Sequence, residues 1–112
     1  MRLRKEPDTM QEQEVLLIAE VSDAFAHPAR IKMFRYIMKC NRERTPVCNK
    51  DLIAEFGYAQ ATTSQHIKKL VDAKLLETRK SDKFTYLYAN LGMVQQYVNA
   101  VRKFDWKKPS RT

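Results

Sequence analysis

The hydrophobic pattern of the chain opens with four consecutive apolar residues, Val15, Leu16, Leu17 and Ile18. The surrounding segment predicts a first helix from about Met10 to Ala24. At about 100° per residue, four neighbouring side chains point around most of a helix. One small domain cannot cover such a helix on every side, so a second surface, most simply a partner subunit, is expected to bury the rest. His27-Pro28 starts a second helix, because proline fits a first helical turn and disfavours helix just before it. Ile31, Phe34, Tyr36, Ile37 and Met38 form its apolar stripe, with Arg30, Lys32, Arg35 and Lys39 around it and an end near Cys40-Asn41. Arg42 to Pro46 is a polar connector. Asn49 suits the N-cap of a short helix through Phe56, Asp51 stands in its first turn, and Gly57 occupies the C-cap position. A fourth helix follows at once, from Ala59 or Gln60 to about Ala73.

The period then changes. Leu75 to Lys80 and Phe84 to Ala89 read as strands, the second alternating Phe84, Tyr86 and Tyr88 with Thr85 and Leu87, and Ser81-Asp82-Lys83 makes the turn. Asn90 caps a last helix, Leu91 to about Phe104, with Val94, Tyr97, Val98, Val101 and Phe104 on one side. Two helices joined by a tight turn, then a hairpin, make a winged helix-turn-helix. The expected fold is mainly α with a small β-hairpin, in the order α-α-α-α-β-β-α. It occupies residues 10–106, and residues 1–9 and 107–112 are expected to be flexible tails.

Composition narrows the function classes. With 112 residues the chain is one domain. The longest apolar run is Val15 to Ala19, which cannot cross a bilayer. The basic start Met1 to Lys5 leads into acidic residues and Gln rather than an apolar stretch, so no secretory leader is expected and the reducing cytoplasm is the expected compartment. The net charge is +8. Residues 6–26 hold Glu6, Asp8, Glu12, Glu14, Glu20 and Asp23 with no Lys or Arg, whereas residues 27–112 carry a net +11. An acidic element turned away from a polyanion and a basic remainder turned toward it fits this polarity, and so does a merely soluble basic protein.

The outward face of the fourth helix taken alone reads as an ordinary solvated face, and the tight turn before it, its basic end and the hairpin after it turn the reading toward a polyanion. Thr63, Ile67, Leu70 and Val71 share one arc and should face the core. Ala61, Thr62, Gln65, Lys68, Lys69 and Asp72 lie opposite, with Gln60, Ser64 and His66 at the boundaries. The outward N-terminal half is small, neutral and hydrogen-bonding, and the C-terminal half is basic. A helix entering the major groove by its N-terminal end needs this order, since Gln and Thr reach base edges while Lys reaches phosphates. The candidate recognition residues are therefore Gln60, Thr62, Thr63, Ser64, Gln65, His66, Lys68 and Lys69. For His66 a phosphate or base contact and a hydrogen bond within its own subunit stay open. Arg79, Lys80 and Lys83 cluster near the hairpin tip and are candidate backbone or minor-groove contacts, unless they only keep the hairpin soluble.

Ala24-Phe25-Ala26-His27-Pro28-Ala29-Arg30-Ile31-Lys32-Met33-Phe34 resembles the "alsdptRlrIL" entry of the ArsR/SmtB family of small winged-helix repressors. Gln60-Ala61-Thr62-Thr63-Ser64-Gln65-His66-Ile67-Lys68-Lys69-Leu70 is similar to that family's "SqHLkkL" recognition helix. Asp72 to Glu77, followed by a basic turn and Tyr86-Leu87-Tyr88, resembles its "eaGLv…Y" wing. The resemblance runs over about residues 15–104. It implies a homodimer that binds a palindromic operator in double-stranded DNA and represses transcription. It also implies a dimer interface on the first and last helices, matching Val15, Leu16, Ile18, Val94, Tyr97, Val98 and Val101. Three departures stand out: Lys74 where the family commonly has Gly, Ala59 where a polar N-cap is usual, and Thr63 where an aliphatic residue is frequent.

Sensing is a separate question. Metal-responsive members often carry Glu-Leu-Cys-Val-Cys-Asp-Leu, and here Pro46-Val47-Cys48-Asn49-Lys50-Asp51-Leu52 keeps one thiol and places Lys50 at the second. The last helix has no His. Neither metal nor any other cofactor is expected. Cys40 and Cys48 are either a thiol-sensing pair, activated by Arg42, Arg44 and Lys50, or two small buried hydrophobes. A small-molecule or redox effector is left open. Trp106 is expected to pack over the dimer edge. The function readings are a sequence-specific DNA-binding regulator and, from another class, a winged-helix module for protein or RNA contact. An enzyme lacks parts: no clustered carboxylates, no nucleophile with a base, no glycine-rich phosphate loop.

Overall fold

The computed structural model describes residues 9–105; residues 1–8 and 107–112 of the expected tails, and Trp106, lie outside the described residues. The order is α1 (Glu12–Ala24), α2 (Pro28–Arg42), α3 (Asn49–Phe56), α4 (Gln60–Asp72), β1 (Leu76–Ser81), β2 (Phe84–Ala89) and α5 (Leu91–Val101), ending in a 3-10 turn, Arg102–Phe104. It is the predicted order, mainly helical with one antiparallel hairpin.

Helix ends follow local chemistry. At the start of α1 the Gln11 amide donates to Glu14 Oε1 at 2.9 Å. Pro28 opens α2, and His27 Nδ1 accepts from the Ala29 amide at 3.4 Å. The cap of α3 is Cys48, not Asn49: Asp51 reaches back and accepts from the Cys48 amide at 2.8 Å. Asn49 is thereby the first helical residue, and its Nδ2 donates to Ser64 Oγ on α4 at 3.2 Å. Asn90 caps α5 by accepting from the Met93 amide at 3.2 Å. Gly57, at φ +75°, ends α3 in the left-handed region that costs other residues most.

Three more left-handed positions are held by charged residues, Asp82 in the hairpin turn at φ +60° and one residue after each of α2 and α4. α2 and α4 both end in the two-bond Schellman pattern. After α4 the Lys74 amide reaches Val71 O at 2.8 Å and the Leu75 amide reaches Leu70 O at 2.9 Å. After α2 the amides of Arg44 and Thr45 reach Asn41 O and Cys40 O at 3.1 and 2.8 Å. Lys74 sits at φ +65° and Arg44 at φ +59°. Leu75, expected to start the strand, is drawn into the helix terminus, and β1 begins one residue later. Leu70 and Leu75 are both fully buried beside the closing bonds.

The core runs through every element. Met33, Phe34 and Ile37 of α2 meet Leu52 of α3, Ile67 and Leu70 of α4, and Leu76 and Leu87 of the hairpin, with Val21 and Ala24 of α1 closing one side. The hairpin pairs Leu76 with Ala89 through to Ser81 with Phe84, leaving Asp82-Lys83 as its two-residue tip. The other edge of β2 is covered without a third strand. The Leu87 amide donates to Val47 O at 2.9 Å, and Asn41 Nδ2 donates to Leu87 O at 3.1 Å. Asn41 Oδ1 accepts from the Ala89 amide at 2.8 Å.

α1 packs on α5. Ser22 Oγ and Tyr97 Oη share a 3.0 Å hydrogen bond, and Lys103 Nζ lies 2.9 Å from Glu14 Oε2. The Gln11 amide, then Lys103, hold the Glu14 carboxyl below the usual carboxylate range.

The Lys74 backbone predicts a stabilising substitution. A non-glycine residue in the left-handed region costs about 1–2 kcal/mol. Lys74→Gly relieves that strain, and a net gain of about 1 kcal/mol corresponds to a rise of about 4–8 °C in the thermal midpoint. Calorimetry on both proteins checks this. An unchanged or lowered midpoint shows that the Lys74 side chain contributes more than its backbone angle costs.

Candidate nucleic-acid interface

The tight turn Gly57-Tyr58-Ala59 sets α4 across the end of α3, and the Asn49–Ser64 bond fixes that crossing. α4 then divides into the faces its period predicts. Gln60, Thr62, Gln65, Lys68 and Lys69 are exposed. Ile67 and Leu70 are buried, and Val71 is half-buried.

Three of the eight candidate recognition residues are placed otherwise. Thr63 is fully buried, and its hydroxyl has no hydrogen-bond partner among the described residues. Ser64 is half-buried and engaged with Asn49. His66, read at the face boundary, is 8% exposed. Its Nδ1 lies 3.4 Å from Arg30 Nη1, and its ring packs against His27 and Tyr58, with centroids 4.6 and 6.2 Å away. A guanidinium only donates, so His66 Nδ1 accepts. Of the two roles left open for His66, the bond within its own subunit is the one observed. The burial of Thr63 follows from its place on the core-facing arc, which its candidacy as a base contact overlooked, while His66, at the boundary, is covered by His27, Arg30 and Tyr58, which the period of α4 does not register.

Both lysines have carboxylate partners. Lys68 Nζ lies 3.2 Å from Asp72, and Lys69 Nζ lies 3.4 Å from Asp23 at the end of α1. All four side chains are more than half exposed. Exposed pairs of this kind contribute about 0–1 kcal/mol, so a competing phosphate can displace either carboxylate.

In the hairpin Arg79 lies over the Tyr88 ring at 4.7 Å, while Lys80 and Lys83 are exposed and stack on no ring among the described residues. α3 adds a cation that the sequence reading weighed only in relation to the cysteines, as a lost metal ligand and a thiol activator. Lys50 Nζ lies 4.9 Å over the Phe84 ring, beside a groove of about 440 Å³ between α3 and the hairpin. Arg30 and Tyr58 are the other residues that sequence reasoning passed over. Nothing in their local spacing marks them, because both act across elements.

Cys40 and Cys48 are both buried and free. The Cys48 thiol donates to Asp51 Oδ2 at 3.3 Å. Burial, then that carboxylate, push it above the usual thiol range. No neighbouring cation is among the causes that shift the Cys48 thiol. Cys40 is engaged with Tyr36 one helical turn away, a contact that raises the Tyr36 hydroxyl. Among the described residues no group of three or more His, Cys, Asp or Glu side chains is placed to hold a metal ion. No helix among them is long and apolar enough to cross a membrane.

The residues proposed for a dimer interface separate into two sets. Val15, Leu16 and Val98 are exposed, at 45%, 54% and 38%. Ile18, Val94, Tyr97 and Val101 are half-buried within the chain, and Val94 and Tyr97 pack on the core. Leu91 and Phe104 add exposed apolar surface at the two ends of the last helical segment.

Two helices joined across Gly57, with the second leading into a charged hairpin, define a winged helix-turn-helix. Residues 25–79 match the family model described as a helix-turn-helix domain. No curated protein matches the chain in sequence. Several solved structures share its fold. An ArsR-like transcriptional regulator from Rhodococcus sp. RHA1 superposes with a TM-score of 0.73 at 13% identity, over 85% of each chain. The homodimeric winged helix-turn-helix DNA-binding domain of Mb0332 from Mycobacterium bovis, a possible ArsR-family regulator, gives 0.65 at 14% identity, over 98% of this chain and 99% of its own. The transcriptional repressor BigR from Xylella fastidiosa gives 0.58 at 21% identity, over 90% and 95%. The chain has the ArsR/SmtB-type winged helix-turn-helix fold.

The placement of His66 predicts an acid-labile fold. Burial first, then His27 and Arg30, lower its pKa below the ordinary histidine value. The unfolded chain therefore binds a proton that the folded one does not, and unfolding is favoured as pH falls from about 6.5 toward the folded value. Urea midpoints should drop between pH 7.5 and 5.5 in wild type and drop less in His66→Gln. Equal slopes would remove His66 as the cause.

Proposed function

We propose that the chain is a DNA-binding transcriptional regulator, acting as a homodimeric repressor on a palindromic operator. One observation carries the reading: α4 exposes Gln60, Thr62 and Gln65 in its N-terminal half and Lys68 and Lys69 beyond them. The first three can pair with base edges and the lysines with phosphates. Lys80 and Lys83 of the hairpin tip, with Lys50 of α3 beside it, extend the cationic surface along the backbone. The homodimeric Mb0332 domain and the repressor BigR support assembly and repression by likeness of fold. The exposed apolar residues Val15, Leu16, Leu91, Val98 and Phe104 on α1 and the last helical segment supply a surface for the second copy. Two α4 helices would then meet successive major grooves about 34–36 Å apart.

Fluorescence anisotropy against the protein's own upstream DNA, with random duplex as competitor and several salt concentrations, tests this reading. Selective binding with a steep salt dependence is expected. Weak binding equal for both duplexes would favour an architectural or protein-binding role instead. Lys69→Ala should weaken binding to every duplex and reduce the salt slope by about one. Gln65→Ala should relax sequence preference at a cost of about 1–3 kcal/mol. If both substitutions leave operator binding untouched, α4 is not the reading helix.

The interface has its own test. Val98→Glu places an unpaired charge in the apolar surface, and burying one is prohibitive. Sedimentation should show a dimer for wild type and a monomer for the variant, while a variant that stays dimeric excludes this face of α5.

A further inference from the structure

The chain has two histidines, and the fold brings both to one place. His27 and His66 pack ring to ring in the wall of a groove of about 760 Å³, which runs between the start of α2 and the outward face of α4. Arg30 lies beside them. Its Nε donates to Ala24 O at 2.7 Å, its Nη2 to Asp23 O at 3.3 Å and its Nη1 to His66. All three acceptors are neutral. Among the described residues no carboxylate lies within ion-pair distance of this half-buried guanidinium.

The groove presents donors. His66 Nδ1 accepts from Arg30 and His27 Nδ1 accepts from the Ala29 amide. The proton of each neutral ring is therefore on Nε2. His66 is nine-tenths buried and lines the groove, and its Nε2 has no hydrogen-bond partner among the described residues. The neighbouring charges are accounted for on every side. Asp23 at the end of α1 is paired with Lys69, and Asp72 of α4 with Lys68. Tyr58, in the turn before α4, meets His66 edge-on. An anion entering here meets Arg30 and two N–H groups with no free carboxylate against it.

We propose that this groove is a binding site for a phosphodiester of the nucleic-acid backbone, held by Arg30, His27 and His66, and that filling it takes up a proton from solvent at His66 Nδ1, which gives up its bond from Arg30 Nη1 so that the guanidinium N–H turns to the anion. It rests on the DNA-binding reading and deepens it. An anion beside an imidazole favours the charged ring. DNA binding thus tightens as pH falls through the histidine range, while the free protein loses stability over the same interval. A backbone contact is indifferent to base sequence, so any duplex is an adequate probe.

The test uses the full chain and a labelled random-sequence duplex of about 20 base pairs, which spans the contacts of one protein, at constant ionic strength. Affinity should rise between about three- and thirty-fold from pH 7.5 to 6.0, the upper figure being one full proton taken up. His27→Asn keeps a good helix cap but withdraws the His27 ring from the anion, so it should bind duplex more weakly while keeping the pH response of His66. Because His66→Gln can disturb packing, the second measurement is made on wild type. The two imidazole Cε1–H NMR signals are followed against pH, alone, with duplex, and with inorganic phosphate. The His66 pKa should rise when duplex is bound. Duplex binding with no pH response and an unmoved His66 pKa overturns the proposal and leaves the DNA-binding reading intact. A pKa that moves with inorganic phosphate but not with bound duplex assigns the groove to a small anion and overturns the backbone assignment. No duplex binding at any pH overturns both.

Discussion

Arg30 is the residue on which the arrangement of the helices depends. α1 has no basic residue in its last turn, so its terminal carbonyls need a cation from elsewhere. Arg30 supplies it from α2, bonding Ala24 O and Asp23 O, and extends its remaining nitrogen to His66 on α4. One side chain therefore ties together the end of the helix that carries the exposed apolar surface, the central helix and the reading helix. The Lys69–Asp23 pair repeats the α1–α4 tie at the surface, where it is weak. In a dimer built on α1 and α5, the separation of two α4 helices is transmitted through this junction. In the proposed dimer a disturbance at Arg30 would alter the spacing of the two α4 helices as well as local contacts.

Most of the fold was legible because its signals are local. Proline after His27, Gly57, Asn90 and the alternation through Phe84–Ala89 each act within a few residues, and the element boundaries fall close to where those residues put them. The misplacements have long-range or competing causes. Asn49 is a better intrinsic cap than Cys48, but Asp51 reaching back to the Cys48 amide moves the start of α3 by one residue. Leu75 reads as strand, yet its amide is claimed by Leu70 O. On α4 the period separates Gln65 from Ile67 correctly and fails at His66. Whether a boundary residue is covered depends on His27, Arg30 and Tyr58, which stand on other elements.

The electrostatics of the reading surface is tempered. Lys68 and Lys69 are exposed but balanced by Asp72 and Asp23, while Arg30 has no carboxylate and is sheltered. Lys80 and Lys83 of the hairpin are exposed and have no carboxylate partner among the described residues. A helix so balanced holds nucleic acid less by bulk attraction than by fit, because each lysine must exchange one anionic partner for another. The net charge of +8 overstates the attraction available at α4 itself.

The hairpin has two long sides, and only one is closed. Val47 and Asn41 occupy the outer side of β2, while the outer side of β1 has no strand beside it among the described residues. Such a side is a template on which another extended chain can add, the first step toward fibrous aggregation. Along β1 the sequence after Leu76 is Glu77, Thr78, Arg79, Lys80 and Ser81, all exposed. An incoming copy in parallel register would stack like charges upon one another. The polar composition of this strand thus keeps concentrated protein from polymerising through its wing, a service independent of any ligand the wing touches.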